Sequence, residues 1–293
     1  MKITITGATG RIGSLLVDRL KARGDELTVI SRNPDRAAAA LGVPAAAYED
    51  AVAAVAGRDA VVHLAGEDIA QRWTDASLRR IRESRELGTR RLVEAINAAD
   101  PRPKALVSAS AVGYYGHRPD PVDEDAPPGN DVLAEICVAW EREAERAETR
   151  VVRVRTGVVL DRQGGALEKM LLPFRLGVGG PVAGGRQPMP WIHVEDVIGV
   201  YLAAIDGQAW HGAVNATAPQ PVTNKEFSRA LGRALRRPAV LPVPGFALRV
   251  LYGGMATLIL EGQNARPRRT LELGYRHAHP DLDEALRSAL RDT

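Results

Sequence analysis

Residues 2–13 read KITITGATGRIG, a β-branched run that breaks into glycines at 7, 10 and 13 while Ile12, Leu15, Leu16 and Leu20 open a helical pattern. A strand forced to turn through glycines straight into a helix leaves few topologies open. It predicts a β-loop-α unit, and LTVIS at 27–31 supplies the returning strand. AVVHLAG at 60–66, ALVSASA at 105–111 and VVRVRTGVVL at 151–160 repeat the strand pattern, and a helical stretch is expected from Asp75 to Ala99. Strands so continuously apolar, alternating with helices, are covered on both faces. The expected fold is therefore α/β, a doubly wound parallel sheet.

Past residue 160 the texture changes. GVGGPVAGGRQPMP at 177–190 reads as a loop, and from Val222 onward helices and an isolated LPVP segment lack the strand-helix rhythm. The expected organisation is a nucleotide-binding domain over 1–160, with part of 188–220 returning to it. A smaller C-terminal substrate lobe over 161–187 and 221–293 would close on the carboxyl ends of the strands, where open α/β sheets take their ligands.

Composition narrows the class. The 293 residues are 45% hydrophobic and 26% charged, which suits a soluble globular chain. The +3 balance comes from scattered basic residues without interleaved aromatics, which argues against nucleic acid as a partner. A single cysteine, Cys137, excludes an internal disulfide framework and fits a reducing cytoplasm. The N-terminus enters a strand at once, with no secretory pattern, and Phe246 to Leu260 is too short for a span and reads as a buried helix, so no membrane partner is expected. HExxH, CxxC and GxSxG are all absent, leaving no sequence support for a metal site or the simplest serine hydrolase.

The chemistry lies in the glycine turn. Gly7, Gly10 and Gly13, with Thr9, Arg11 and Ile12 between them, let a backbone approach a pyrophosphate closely and aim helix N–H groups at it. An acidic residue at the end of the second strand would hold ribose hydroxyls and repel a 2′-phosphate. Here Ser31 stands in that place, followed by Arg32 and, a turn later, Arg36. Guanidinium forks suit phosphate, so NADP(H) is the expected cofactor, the alternative being that both arginines are ordinary surface groups.

TGATGRIG, LAG at 64–66, SAS at 108–110 and WIHVEDV at 191–197 resemble the extended short-chain dehydrogenase/reductase superfamily. LAGEDIAQRW, SASAVGYYG, RTGVVL, LPFRLGVGGP and PRRTLELGYRHAHPDLDEAL are similar to its nucleotide-sugar-epimerase-like oxidoreductase branch, across nearly the whole chain. The resemblance implies an extended Rossmann fold, with Leu64, Ala65, Gly66, Glu67 and Ser108 beside the cofactor. It also implies a proton relay from a serine and a YxxxK pair, in which the lysine lowers the tyrosine's pKa. Ser110 stands at the serine position, but Leu133 and Cys137 fall where tyrosine and lysine belong. The substitutes are Tyr114 and Tyr115, read as proton donors or as packing between sheet and lobe. Glu67 reads as a cofactor ligand or base, or as a helix-capping carboxylate.

The resemblance implies that the stretch with His193 and Asp196 packs the lobe onto the nucleotide domain, the alternative being a catalytic role for the histidine. After Gln187, Pro188 and Met189 replace the arginine that grips a pyrophosphate in similar sugar-nucleotide enzymes, leaving Arg186 to compensate. Trp73 is a candidate pocket wall. The leading functional expectation is an NADP(H)-dependent oxidoreductase or epimerase-like enzyme acting on a small carbonyl or hydroxyl substrate. A non-catalytic NADPH-sensing protein is the second and a sugar-nucleotide epimerase the third.

Overall fold

A computed structural model describes residues 1–291, apart from the side chain of Leu251. β1 (Lys2–Thr6) feeds α1 (Arg11–Ala22) and β2 (Glu26–Ile30), and then α2 (Pro34–Leu41), the two-residue β3 (Ala45–Ala46) and α3 (Ala51–Val55) return the chain to β4 (Ala60–His63). α4 (Asp75–Ala98), β5 (Ala105–Ala111), β6 (Arg118–Val122), α5 (Val132–Glu145) and β7 (Arg150–Thr156) follow. The chain leaves through β8 (Val158–Leu160), α6 (Gly165–Arg175), β9 (Pro188–Met189) and β10 (Trp191–His193), and comes back as α7 (Val194–Asp206) and β11 (Gly212–Ala216). The tail holds β12 (Val222–Thr223), α8 (Asn224–Leu235), α9 (Gly245–Tyr252), α10 (Thr257–Leu260), β13 (Gln263–Ala265), α11 (Arg268–Glu272) and α12 (Leu282–Arg291).

The main sheet has seven strands in the order β11-β7-β5-β4-β1-β2-β3, all parallel. Alternate residues of each strand face opposite layers. Ile3, Ile5, Val62, Val107 and Val154 pack with Leu16, Leu20, Val197 and Ile205 of α1 and α7, while Val61, Leu106, Leu92 and Ile96 belong to the core under α3, α4 and α5. This is the α/β doubly wound architecture expected from the apolar runs. The strand order reverses at β1 and β4, which opens a crevice above their tips.

Local chemistry sets the helix limits. Asn33 caps α2 ahead of Pro34, and Thr74 and Ser77 form a capping box on α4. A second core, with Leu167, Leu171, Phe174, Trp191, Phe227 and Leu286, joins α6, α8 and α12 in the smaller lobe. Residues 263–275 depart from the expected division. β13 pairs with β6, the Thr270 hydroxyl donates to the Asn215 carbonyl at 2.8 Å, and Leu273 and Tyr275 pack on the main core, so this stretch lies against the nucleotide domain. Phe246 to Leu260 is also not one buried helix. Gly253 at φ 59° breaks it between α9 and α10, and Phe246 and Val250 are 73% and 71% exposed.

Candidate functional site

A cavity of about 290 Å³ lies over the crevice. Ser31, Arg32 and Tyr48 line one end, Gly7, Thr9 and Gly10 the middle, and Leu64, Ala65 and Gly66 the other. Gly7 sits at φ 70°, and a Cβ there would meet the Leu64 carbonyl carbon at 2.5 Å; at Gly13 it would meet the Gly7 oxygen at 2.4 Å. Only bare backbone lets β1, α1 and the β4 tip approach so closely. α1 begins at Arg11 without a side-chain cap on Gly10 and without an acid in its first turn, so its N–H groups and dipole face the crevice unneutralised.

Of the other predicted cofactor residues, Ile12 lies in the first turn of α1, its side chain packed on the main core. The Arg11 guanidinium turns to Asp161 in a two-bonded ion pair, fastening the β8–α6 turn to the start of α1, so only its backbone faces the crevice. Arg32 is exposed at the rim. Arg36 is exposed on α2 and is not among the cavity walls. Tyr48 was missed by sequence reasoning. It follows the two-residue β3, too short for any periodic signal; burial raises its phenol pKa while the nearby Arg32 charge opposes that shift.

Beneath the β4 and β5 tips the side chains are committed. His63 is fully buried, with Nδ1 2.6 Å from the Thr6 hydroxyl and Nε2 3.0 Å from that of Thr89, and burial, helped by the Arg85 charge, depresses its pKa to about 4. It is a neutral floor. Ser108 is buried beside it on β5. The Ser110 hydroxyl donates to Glu141 at 2.6 Å, and Arg155 grips the same carboxylate through two bonds of 2.8 Å. Arg155 also donates to the Tyr115 hydroxyl at 3.0 Å, and that hydroxyl donates to Asn215 at 2.8 Å.

The relay expected of Ser110 and Tyr115 is therefore not assembled. Tyr115 is a core residue, and burial pushes its phenol up to about 12. Tyr114 packs its ring under the Arg155 guanidinium, 3.4 Å from ring centre to Cζ, and is only partly buried. Cys137 is buried at the lysine position, its thiol pushed up to about 12 by burial and then by Glu141, so it behaves as a small hydrophobe.

Glu67 does not cap α4, since Thr74 does; its carboxylate accepts from Gln71 at 3.3 Å and lies 3.8 Å from Arg80. The Trp73 ring rests against Gly254, joining the β4–α4 loop to the tail. Asp196 is fully buried and accepts from the Tyr275 hydroxyl and the Ala278 and His279 amides, which fastens the tail to α7. His193, Glu195 and His279 bring possible ligand atoms within 4.8 Å of one another, a grouping invisible in the sequence, with His279 Nε2 3.0 Å from the Glu195 carboxylate. The Gln187 amide donates to the Val182 and Ile259 carbonyls and is thereby spent on the loop itself. Arg186 is exposed.

Among the described residues no helix is long and apolar enough to cross a membrane. Residues 3–215 match the NAD dependent epimerase/dehydratase family, and residues 243–289 match a domain of unknown function, DUF1731. The chain is 40% identical to the epimerase family protein SDR39U1 of Homo sapiens over 98% of its length and 99% of that protein. It is 41% identical to a chloroplastic SDR39U1 homolog of Arabidopsis thaliana over 99% of its length and 87% of that protein. A crystal structure of human SDR39U1 isoform 2 with NADPH superposes with a TM-score of 0.91 at 38% identity, covering 99% of this chain and all of that one.

Proposed function

The chain belongs to the NAD dependent epimerase/dehydratase family, and from that premise we propose that it is an NADP(H)-linked oxidoreductase of the epimerase-like type, acting on a small carbonyl or hydroxyl substrate. One observation carries the reading. The adenosine end of the cavity presents Arg32 and Ser31, and no carboxylate stands among its walls to repel a 2′-phosphate. The NADPH seen in the similar human protein supports it.

The cradle fits that cofactor. Gly7, Gly10 and the first turn of α1 would hold the pyrophosphate, Arg32 the 2′-phosphate, Tyr48 the adenine face, and Gly66 the approach to the nicotinamide. A bound nicotinamide supplies hydride chemistry. The chain's task is then to supply a proton, and with Ser110 and Tyr115 engaged in their own hydrogen bonds, Tyr114 is the phenol left to do it. The test is NADPH oxidation across a broad panel of carbonyl compounds, with binding measured in parallel. Turnover lost in Tyr114→Phe at unchanged cofactor affinity supports the reading; full turnover in that variant removes Tyr114 from it.

A second reading, a cofactor-sensing protein without turnover, is favoured by the closed Ser110–Glu141–Arg155–Tyr115 network and by the buried thiol at position 137. The same panel separates the two, since a sensor binds NADPH and oxidises none of it. A sugar-nucleotide substrate has less support because Met189 stands where similar sugar-nucleotide enzymes carry the arginine that grips the pyrophosphate. Calorimetric titration with several sugar nucleotides tests it.

A further inference from the structure

We propose that Arg85, on α4, binds the nicotinamide half of the cofactor, supplying from α4 the cation that the missing lysine would have supplied from α5. The inference rests on the NADP(H) reading above and adds a residue to it.

Both hydrogen bonds of Arg85 leave from one nitrogen. Nη1 donates to the Glu67 carbonyl at 3.0 Å and to the Ile81 carbonyl at 3.2 Å. Nε and Nη2 make no hydrogen bond among the described residues, and no carboxylate forms an ion pair with this guanidinium. Its Cζ lies 5.0 Å from the centre of the Trp140 ring, three residues along α5 from Cys137, so the charge stands beside the empty lysine position. Burial lowers the Arg85 pKa against the opposing charges of Asp68 and Glu67. A cation held partly out of water with two donor groups unspent favours an acceptor that arrives from outside the chain.

Gly66 sets the direction of approach. A Cβ built on Gly66 would lie 3.4 Å from Cζ and 3.6 Å from Nη2 of Arg85. Gly66 is exposed and lines the β4 end of the cavity. Its backbone is outside the left-handed region, so no strained φ demands glycine there. What its bare Cα does is leave the guanidinium open toward the crevice. With Arg32 and Tyr48 at the β2 edge, a dinucleotide crossing the β1 tip brings its second ribose and carboxamide to Gly66, where those oxygens accept from Nε and Nη2.

Calorimetric titration of Arg85→Gln with NADPH and with adenosine 2′,5′-bisphosphate tests this, because the second ligand lacks the nicotinamide half. Loss of a charge-assisted contact is expected to weaken NADPH about ten-fold or more, leaving the bisphosphate within about two-fold of wild type. Equal weakening of both ligands overturns the proposal, since Arg85 then only staples the 66–67 loop to α4, and so does no change in either. Should Arg85→Gln fail to fold, Arg85→Lys keeps the charge but cannot serve both carbonyls and the cofactor. Selective weakening of NADPH in that variant supports the proposal and equal weakening overturns it. A wild type that binds NADPH while Arg85→Gln weakens both ligands equally overturns the Arg85 proposal alone, whereas a wild type that does not bind NADPH overturns the cofactor reading beneath it.

Discussion

Glu141 receives the Ser110 hydroxyl at 2.6 Å and the Arg155 guanidinium at 2.8 Å on the same carboxylate oxygen, with both acidic and basic side chains only 3% exposed. Burial works against the Arg155 charge, but the hydrogen bonds and charge of Glu141 outweigh it and hold that pKa above its ordinary value. Arg155 also reaches the other oxygen at 2.8 Å, and Arg153 adds a fourth bond to the carboxylate at 3.0 Å. The chain thus fills the space of a proton relay with a fixed ion pair.

Breaking that pair from one side leaves Arg155 buried without a counter-charge. Glu141→Ala should lose about 3–5 kcal/mol of unfolding free energy in a urea titration, whereas Ser110→Ala, which removes one hydrogen bond, should lose about 1 kcal/mol. Near-equal losses would mean that solvent reaches the pair.

His63 makes stability depend on pH. Its folded pKa of about 4 lies below the ordinary 6.5, so as pH falls the unfolded chain takes up the proton first. The contribution is fully present above pH 6.5 and is lost as pH falls toward 4. Between pH 7 and 5 the wild type should lose about 2 kcal/mol from this group, and His63→Gln, less stable at pH 7, should lose much less over the same interval. Parallel pH profiles for the two proteins would remove His63 as the cause.

Arg32 is the expected grip on the 2′-phosphate. Arg32→Asp should weaken NADPH by about ten- to a hundred-fold and NADH far less, as read by fluorescence titration. Equal effects on the two nucleotides would show that the rim charge does not read the phosphate.

Much of the frame was legible because it follows from local pattern. The apolar runs at 2–6, 60–63 and 105–111 became neighbouring parallel strands, and the helix expected from Asp75 to Ala99 spans Asp75–Ala98. Gly7 and Gly13 could be read because their constraint is steric and lies within one loop. The rest depended on contacts distant in sequence. The partner of Ser110 is 31 residues away on α5, and Tyr115 meets Asn215 across 100 residues, so neither commitment could be seen from the SASAVGYYG stretch. Arg85 is one of six arginines on α4, and only the placement of Gly66 and Trp140 distinguishes it from its exposed neighbours. The 246–260 segment misled because its apolar residues match a core helix, whereas Gly253 breaks it and part of its surface faces outward.

The crevice over β1 and β4 is expected to take NADP(H) in preference to NAD(H). Calorimetric titration of the purified wild-type chain with NADPH and NADH side by side tests it most directly. NADPH is expected to bind at least about ten-fold tighter, the worth of one charge-assisted phosphate contact. NADH binding as tightly as NADPH, or neither binding, would contradict it.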